Sequence, residues 1–384
     1  MNLNLLYEGG NEMFKSMKKG LLFFMLVLVI GVLAACGGDD TSSGDGDEGD
    51  SADAAESGDK KVEIVAKGFQ HDFWVAVKDG AEEAAEEHGV SINFVGPKNE
   101  SAISEQVEMI TNAVNKDPDA IALAALDTSA ALGAIEQAMD KSIPIIGFDS
   151  GVPDAPEGAI AANASTDNYA AGELAAEETY PAIEDQIKDA DGDIRIGVLA
   201  QEVNSMSITE RTVGFIDKMV ELVDGELGEG SAAVFGHEKL ANDVSEDDAA
   251  VLIETRVPAE VSDSAGQTEA QTLLNKDDLV AIYGSNEFAA KSIINADNAI
   301  SGGKIGPDKV VAVGFDSGAL QIDAIVEERF YGSVTQDPIA IGFNAVELAV
   351  KASDGEDVSD VDTGAKWYNA DNIEDDDIQA IIYE

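Results

Sequence analysis

The chain has 384 residues and a formal net charge of −53, with 76 Asp+Glu against 23 Lys+Arg. Its length suggests two domains or more, its 45% apolar content supports a sizeable core, and so negative a surface argues against nucleic acid as a partner. One cysteine (Cys36) and three histidines (His71, His88, His237) exclude a disulfide framework and a Cys-based zinc site, and the acid excess reads as adaptation to a salty medium.

Near the amino terminus, Lys15, Lys18 and Lys19 precede an apolar run from Leu21 to Ala35. At about 15 residues the run fits a secretion signal and falls short of the ~20 that cross a bilayer. It ends in Leu33-Ala34-Ala35-Cys36, which resembles the lipobox of bacterial lipoproteins. That resemblance implies cleavage before Cys36 and a lipid on its sulfur. Residues 1–35 are thus expected to be a signal peptide, and a start at Met13 or Met17 serves it equally well. Gly37 to Asp59 is rich in Gly, Ser and Asp and almost devoid of apolar side chains, so 36–60 is expected to be a flexible acidic tether.

From Lys61 the periodicity alternates. Strands are predicted at Val62–Ala66, Ile92–Val95, Ala120–Ala124 and Ile143–Gly147, and helices at Asp72–His88, Ile103–Val114 and Ser129–Asp140. A second series begins near Asp167, with helices at Tyr169–Tyr180, Met206–Val223, Gly266–Asn275, Glu287–Ala299, Ala319–Glu328 and Ile339–Ala352. Its strands are Ile194–Leu199, Val251–Val257, Val280–Tyr283, Val310–Val313 and Tyr331–Thr335. Asp224 to Ala249 has little pattern and reads as an insertion. The fold class is α/β, two doubly wound parallel-sheet lobes.

One pentapeptide occurs twice. Gly147-Phe148-Asp149-Ser150-Gly151 and Gly314-Phe315-Asp316-Ser317-Gly318 each follow a predicted strand. The carboxyl edge of a parallel sheet is where α/β proteins bind ligands. Two similar turns with Ser as helix N-cap would explain Ser and Gly, but not Phe-Asp in both copies. An aromatic and a carboxylate at each lobe's edge suit a sugar, whose hydroxyl pairs donate to a carboxylate and whose C–H face packs on a ring.

A wider set of motifs supports this reading. It comprises Phe73-Trp74-x-x-x-Lys78-Asp79-Gly80, Ile143-Pro144-x-x-x-x-Asp149, Thr166-Asp167-Asn168, Glu210-Arg211-x-x-Gly214-Phe215, Asn286-Glu287, Val313-Gly314-Phe315-Asp316 and Thr335-Gln336-Asp337-Pro338. In this order and spacing they resemble the periplasmic sugar-binding proteins of the ribose-binding type, the extracytoplasmic receptors of ABC importers. The resemblance covers about Lys61 to Glu384. It implies ligand contacts from His71, Phe73, Trp74, Asp149, Arg211, Asn286, Asp316 and Gln336. Phe73 and Trp74 would stack on the ring, Asp149 and Asp316 would take hydroxyl pairs, Arg211 would donate a fork of N–H bonds, and Asn286 and Gln336 would complete the polar shell. It also implies a three-strand hinge near Thr166-Asp167, Gln336-Asp337 and Thr363-Gly364. The first lobe would be 61–166 plus 337–363, and the second 167–336 plus 364–384.

The pattern departs from the ribose receptors at Ser150, at Ala124-Ala125 and near Val261, so another monosaccharide or a polyol is as well expected as ribose. The implied partners are that ligand, an ABC permease, and a membrane reached through the lipid on Cys36. A monomer without metal, cofactor or catalytic residue is expected. A receptor for a sugar or furanose signal in chemotaxis would share these residues. A glycoside-processing enzyme would need two carboxylates of different pKa, and the chain has no GxSxG elbow, GxxxxGK[ST] loop or GxGxxG turn.

Overall fold

A computed structural model describes residues 60–383 apart from Gln70 and Asp191. The expected signal peptide, Cys36 and the tether up to residue 59 lie outside the described residues.

The first sheet is built by β1 (Lys61–Val65), β2 (Ser91–Val95), β3 (Ala120–Leu123), β4 (Ile145–Phe148) and β5 (Ile160–Ser165), interleaved with α1 (Asp72–His88), α2 (Ile103–Asn115) and α3 (Leu132–Asp140). The chain then passes through α4 (Asn168–Lys188), β6 (Ile194–Leu199), α5 (Met206–Leu227), β7 (Ala232–Phe235), β8 (Val251–Arg256) and α6 (Asp263–Leu274). It continues through β9 (Leu279–Gly284), α7 (Glu287–Ala299), β10 (Val311–Phe315), α8 (Ala319–Val326), β11 (Gly332–Gln336) and α9 (Pro338–Ser353). It closes with β12 (Val361–Asp362), β13 (Ala365–Tyr368) and α10 (Asp376–Gln379).

The sheet orders are β12-β5-β4-β3-β1-β2 and β13-β11-β10-β9-β6-β8-β7. Apart from the edge strands β7, β12 and β13, both lobes have the same doubly wound order, with its reversal beside β1 and beside β6. All pairings are parallel except β11 with β13. β3, β4 and β9 are buried along their whole length, which requires near-continuous apolar runs. Each sheet is covered on both faces by helices. Ile64, Phe148 and Val346 pack on one face of the first sheet, and Val65, Ile121 and Ile135 on the other.

The lobes exchange helices. α9 follows a strand of the second sheet yet packs on α1 of the first lobe, and α4 follows β5 yet packs on α5 of the second. Both pairs cross at glycines. A Cβ on Gly80 would stand 2.1 Å from the Ile339 carbonyl oxygen, and one on Gly172 would stand 2.3 Å from that of Arg211. Three crossings join the lobes side by side. Thr166 Oγ1 donates to Gln336 Oε1 at 2.9 Å and lies 3.3 Å from the Gly364 carbonyl, while Thr363 N donates to Ser165 O at 3.1 Å. Asp167 and Asp337 cap α4 and α9 just past two of the crossings, accepting from Ala170 N and Ala340 N.

The structure departs from the sequence expectations at several places, three of them within the lobes' main series. β5 (IAANAS) is too rich in small residues to read as a strand. α4 continues through Pro181, because Ile183 and Ile187 are buried beyond it and their burial offsets the lost helix bond. The segment read as an insertion contains β7, an edge strand parallel to β8.

Candidate functional site: a polar cleft between two lobes

Apart from Ser207 and Arg211 of α5, the polar groups of the site come from the carboxyl end of a strand or the turn after it. In the first lobe, Lys67 and His71 follow β1, Glu100 follows β2 and Asp149 follows β4. In the second, Gln201 follows β6, Asn286 follows β9, Asp316 follows β10, and Gln336 ends β11. Arg211 reaches in from α5, and Glu287 opens α7.

The repeated aspartates share an uncommon backbone. Asp149 has φ 53° and Asp316 has φ 73°, in the left-handed region that Asp tolerates better than most residues. In each repeat this kink turns the side chain off the strand and into the cleft. The first copy leads into a loop and then β5 rather than a helix, and α8 starts at Ala319 with Gly318 as N-cap and no side-chain cap. Neither serine is therefore an N-cap: Ser150 Oγ accepts from Ser207 N of the opposite lobe, and Ser317 Oγ accepts from Tyr383 N.

All eight residues singled out from the sequence line one cleft, together with Lys67, Glu100, Ser207, Ile208 and Glu287. Arg211 is 2% exposed and stands between the repeated carboxylates, with Nη2 3.8 Å from Asp149 Oδ1 and Nη1 3.7 Å from Asp316 Oδ2. Its Nε donates to Asn168 Oδ1 at 2.7 Å, and its guanidinium lies 4.0 Å from the centroid of the Phe315 ring. The repeat phenylalanines thus have a different place from that expected. Phe148 and Phe315 are fully buried, and Phe315 supports Arg211 from behind.

Phe73 and Trp74 line the cleft and also belong to the first-lobe core, in edge-on contact 5.0 Å apart. Trp74 Nε1 donates to Glu100 Oε1 at 2.7 Å. Asn286 has two duties. Its Oδ1 caps α7 by accepting from Ala289 N, and its Nδ2 donates to Gln201 Oε1 at 2.8 Å. Gln336 joins hinge and site, since it accepts from Thr166 and donates through Nε2 to Asp316 Oδ1 at 2.7 Å. His71 stands with Nε2 3.6 Å from Glu100 and Nδ1 3.8 Å from Glu287.

Sequence reasoning passed over Lys67, Glu100, Gln201 and Glu287. Lys67 is 3% exposed, 3.7 Å from Asp149 Oδ2, and donates across the cleft to Ser205 Oγ and Ser207 Oγ at 3.4 and 3.3 Å. Gln201 Nε2 donates across the cleft to Glu100 Oε2 at 2.7 Å. The signal for all four was the rule that located the aspartates, the carboxyl edge of the sheet.

The electrostatics are finely divided. Burial alone would raise the Glu100 carboxyl, but His71 and Lys67 beside it, with hydrogen bonds from Gln201 and Trp74, hold it below its ordinary value. Burial raises Asp149, and Lys67 and Arg211 offset only part of that. The free space among these side chains is about 20 Å³, room for about one water. That space is too small for a sugar ring. A larger groove of about 670 Å³ lies on the second lobe between α4, β10 and the turn at Asn369, away from these residues.

Two doubly wound lobes, joined by three crossings and closing on one polar cleft, define a two-lobed solute-binding protein. The chain belongs to the periplasmic binding protein family: residues 62–357 match that family's domain. It is 24% identical over 302 residues to the ribose import binding protein RbsB of Bacillus subtilis, covering 78% of this chain and 84% of that one. Among solved structures, a Brachyspira murdochii protein described as an ABC transporter, LacI family transcriptional regulator, is 39% identical with a TM-score of 0.71, over 85% of this chain and 99% of that one. An ABC transporter solute-binding protein of Agrobacterium vitis with bound D-fucose is 26% identical with a TM-score of 0.70, over 84% of this chain and 100% of that one.

Proposed function

We propose that the protein is an extracytoplasmic receptor that binds one neutral monosaccharide or polyol between its lobes and delivers it unchanged to the permease of an ABC importer. The observation that carries this reading is Arg211, which stands between Asp149 of one lobe and Asp316 of the other in a single cleft. Such an array offers acceptors and donors side by side, and a hydroxyl group can serve both. The ribose and D-fucose named for the similar proteins are of this class.

The mechanism follows from the geometry. With the lobes parted, Asp149, Lys67 and His71 present one half-site, and Arg211, Asn286, Asp316 and Gln336 the other. A guest that bridges them adds hydrogen bonds to ionised groups, each about 1.5–3 kcal/mol, available only in the closed form. Closure is favoured by that difference, and the permease reads the closed shape. The lipid on Cys36 would hold the receptor at the membrane through the acidic tether.

A thermal-shift panel of pentoses, hexoses and polyols tests the reading, with chromatography of the recovered sugar. One class of sugar should raise the melting temperature and be recovered intact. A shift from none of them, or recovery of a cleavage product, contradicts it. For the anchor, Cys36→Ser should move the expressed protein from the membrane pellet to the soluble fraction. A variant that stays in the pellet would remove the lipid from the account.

A further inference from the structure

Four buried side-chain atoms lining the cleft lack a hydrogen-bond partner among the described residues. They are His71 Nε2 and Asp149 Oδ2 on the first lobe, and Arg211 Nη2 and Glu287 Oε2 on the second. Three belong to residues that the family resemblance already marks. Glu287 stands in the Asn286-Glu287 motif of that resemblance but is given no ligand contact by it, and its side chain is held in place from several sides. Its backbone N–H donates to Asp316 Oδ2 at 3.0 Å. Gly318, at the start of α8, lies flat against its carboxyl group, since a Cβ there would stand 2.8 Å from the Glu287 Cδ and Oε1. Oε1 faces His71 Nδ1 at 3.8 Å, which leaves Oε2 as the unpartnered oxygen.

We propose that Glu287 is a further specificity-determining residue of the cleft, contacting the guest through Oε2 as a hydrogen-bond donor to one of its oxygens. The assignment rests on the receptor reading above. A donor role needs the proton on the carboxyl group, and the surroundings supply it. Burial, then Asp316 from the end of β10, Asp72 from α1 and Glu100 from the turn after β2, push the carboxyl up to about 8, against a hydrogen bond with the Phe73 backbone. The other charged or titratable groups facing this corner are His71, before α1, Arg211 of α5, which lies against Asp316, and the phenols of Tyr368 in β13 and Tyr383 after α10, both held above their ordinary values by burial and by the Asp316 and Glu287 charges. A neutral donor at this point also spares a neutral guest a further buried negative charge beside Asp149, Asp316 and Glu100.

The sign of the pH dependence follows. The protonated form binds, so affinity is level below pH 8 and falls by about tenfold per pH unit above it. The test is titration calorimetry of the intact protein at pH 6 to 9.5 with D-ribose, D-arabinose, D-galactose and D-fucose, with circular dichroism of each sample as the folding control. Glu287→Ala should cost on the order of tenfold at pH 7. Glu287→Gln, which donates at every pH, should recover most of that loss and show a level profile to pH 9.5. Its loss should also differ between D-galactose and its 6-deoxy analogue D-fucose if the contacted oxygen is the one they do not share. A Glu287→Ala protein that binds as the wild type does, or a Glu287→Gln protein that keeps the wild-type fall above pH 8, overturns the assignment while the receptor reading stands. A wild type that binds no sugar or polyol of the thermal-shift panel overturns the assignment together with that reading.

Discussion

At the scale of single residues, the repeated Phe-Asp pairs divide labour differently from the way their composition suggests. The phenylalanine is the last core residue of its strand, and the aspartate, kinked to positive φ, is the first residue of the cleft. Asp149→Asn keeps a side chain that tolerates the left-handed backbone but removes the charge. Sugar affinity should fall on the order of tenfold or more, with an unfolding midpoint close to that of the wild type. Titration calorimetry and urea unfolding check the two halves, and unchanged affinity would remove Asp149 from the site. The aspartates were legible in the sequence because the pentapeptide occurs twice after predicted strands. Lys67, Glu100 and Gln201 were not, because each is a single polar residue in a turn whose partner is far away in sequence, up to 140 residues for Lys67 and Ser207.

At the scale of elements, most helices and strands were legible because their apolar spacing is strong, and α1 and α7 begin and end where the periodicity places them. The elements that escaped have weak local signals. β5 is made of Ala, Asn and Ser, β12 has two residues, and β13 pairs antiparallel with β11 through a contact no local pattern encodes. Gln106 shows the same limit within an element. It is 2% exposed on a helix face read by its apolar stripe, and its amide ties β1 to β3 by donating to Ala66 O and Ala124 O at 2.9 and 2.8 Å. The α4–α5 crossing links packing to function, because the group nearest Gly172 is the carbonyl of Arg211. Gly172→Ala should force the helices apart, destabilise the protein by about 1–3 kcal/mol in denaturant unfolding, and weaken sugar binding by displacing the guanidinium. Wild-type stability would show that the crossing has slack.

At the scale of the whole molecule, two effects act together. With a net charge of −53, self-repulsion opposes compactness, and added salt screens it. The melting temperature should rise steadily between low salt and 1 M KCl, and a level curve would contradict adaptation to a salty medium. The second effect is the hinge. Gln336 bonds Thr166 in one crossing and Asp316 in the cleft, so the crossing and the cleft share a side chain. If a guest is gripped from both lobes as proposed, affinity must fall when either half-site is damaged. The most direct measurement is calorimetric titration of the tightest-binding sugar into wild type, Asp149→Asn and Asn286→Ala, with folding confirmed for each. The account predicts one sugar per chain and a loss of about tenfold or more from the first-lobe and the second-lobe change alike. Two sugars per chain, or a loss confined to one lobe, would contradict it.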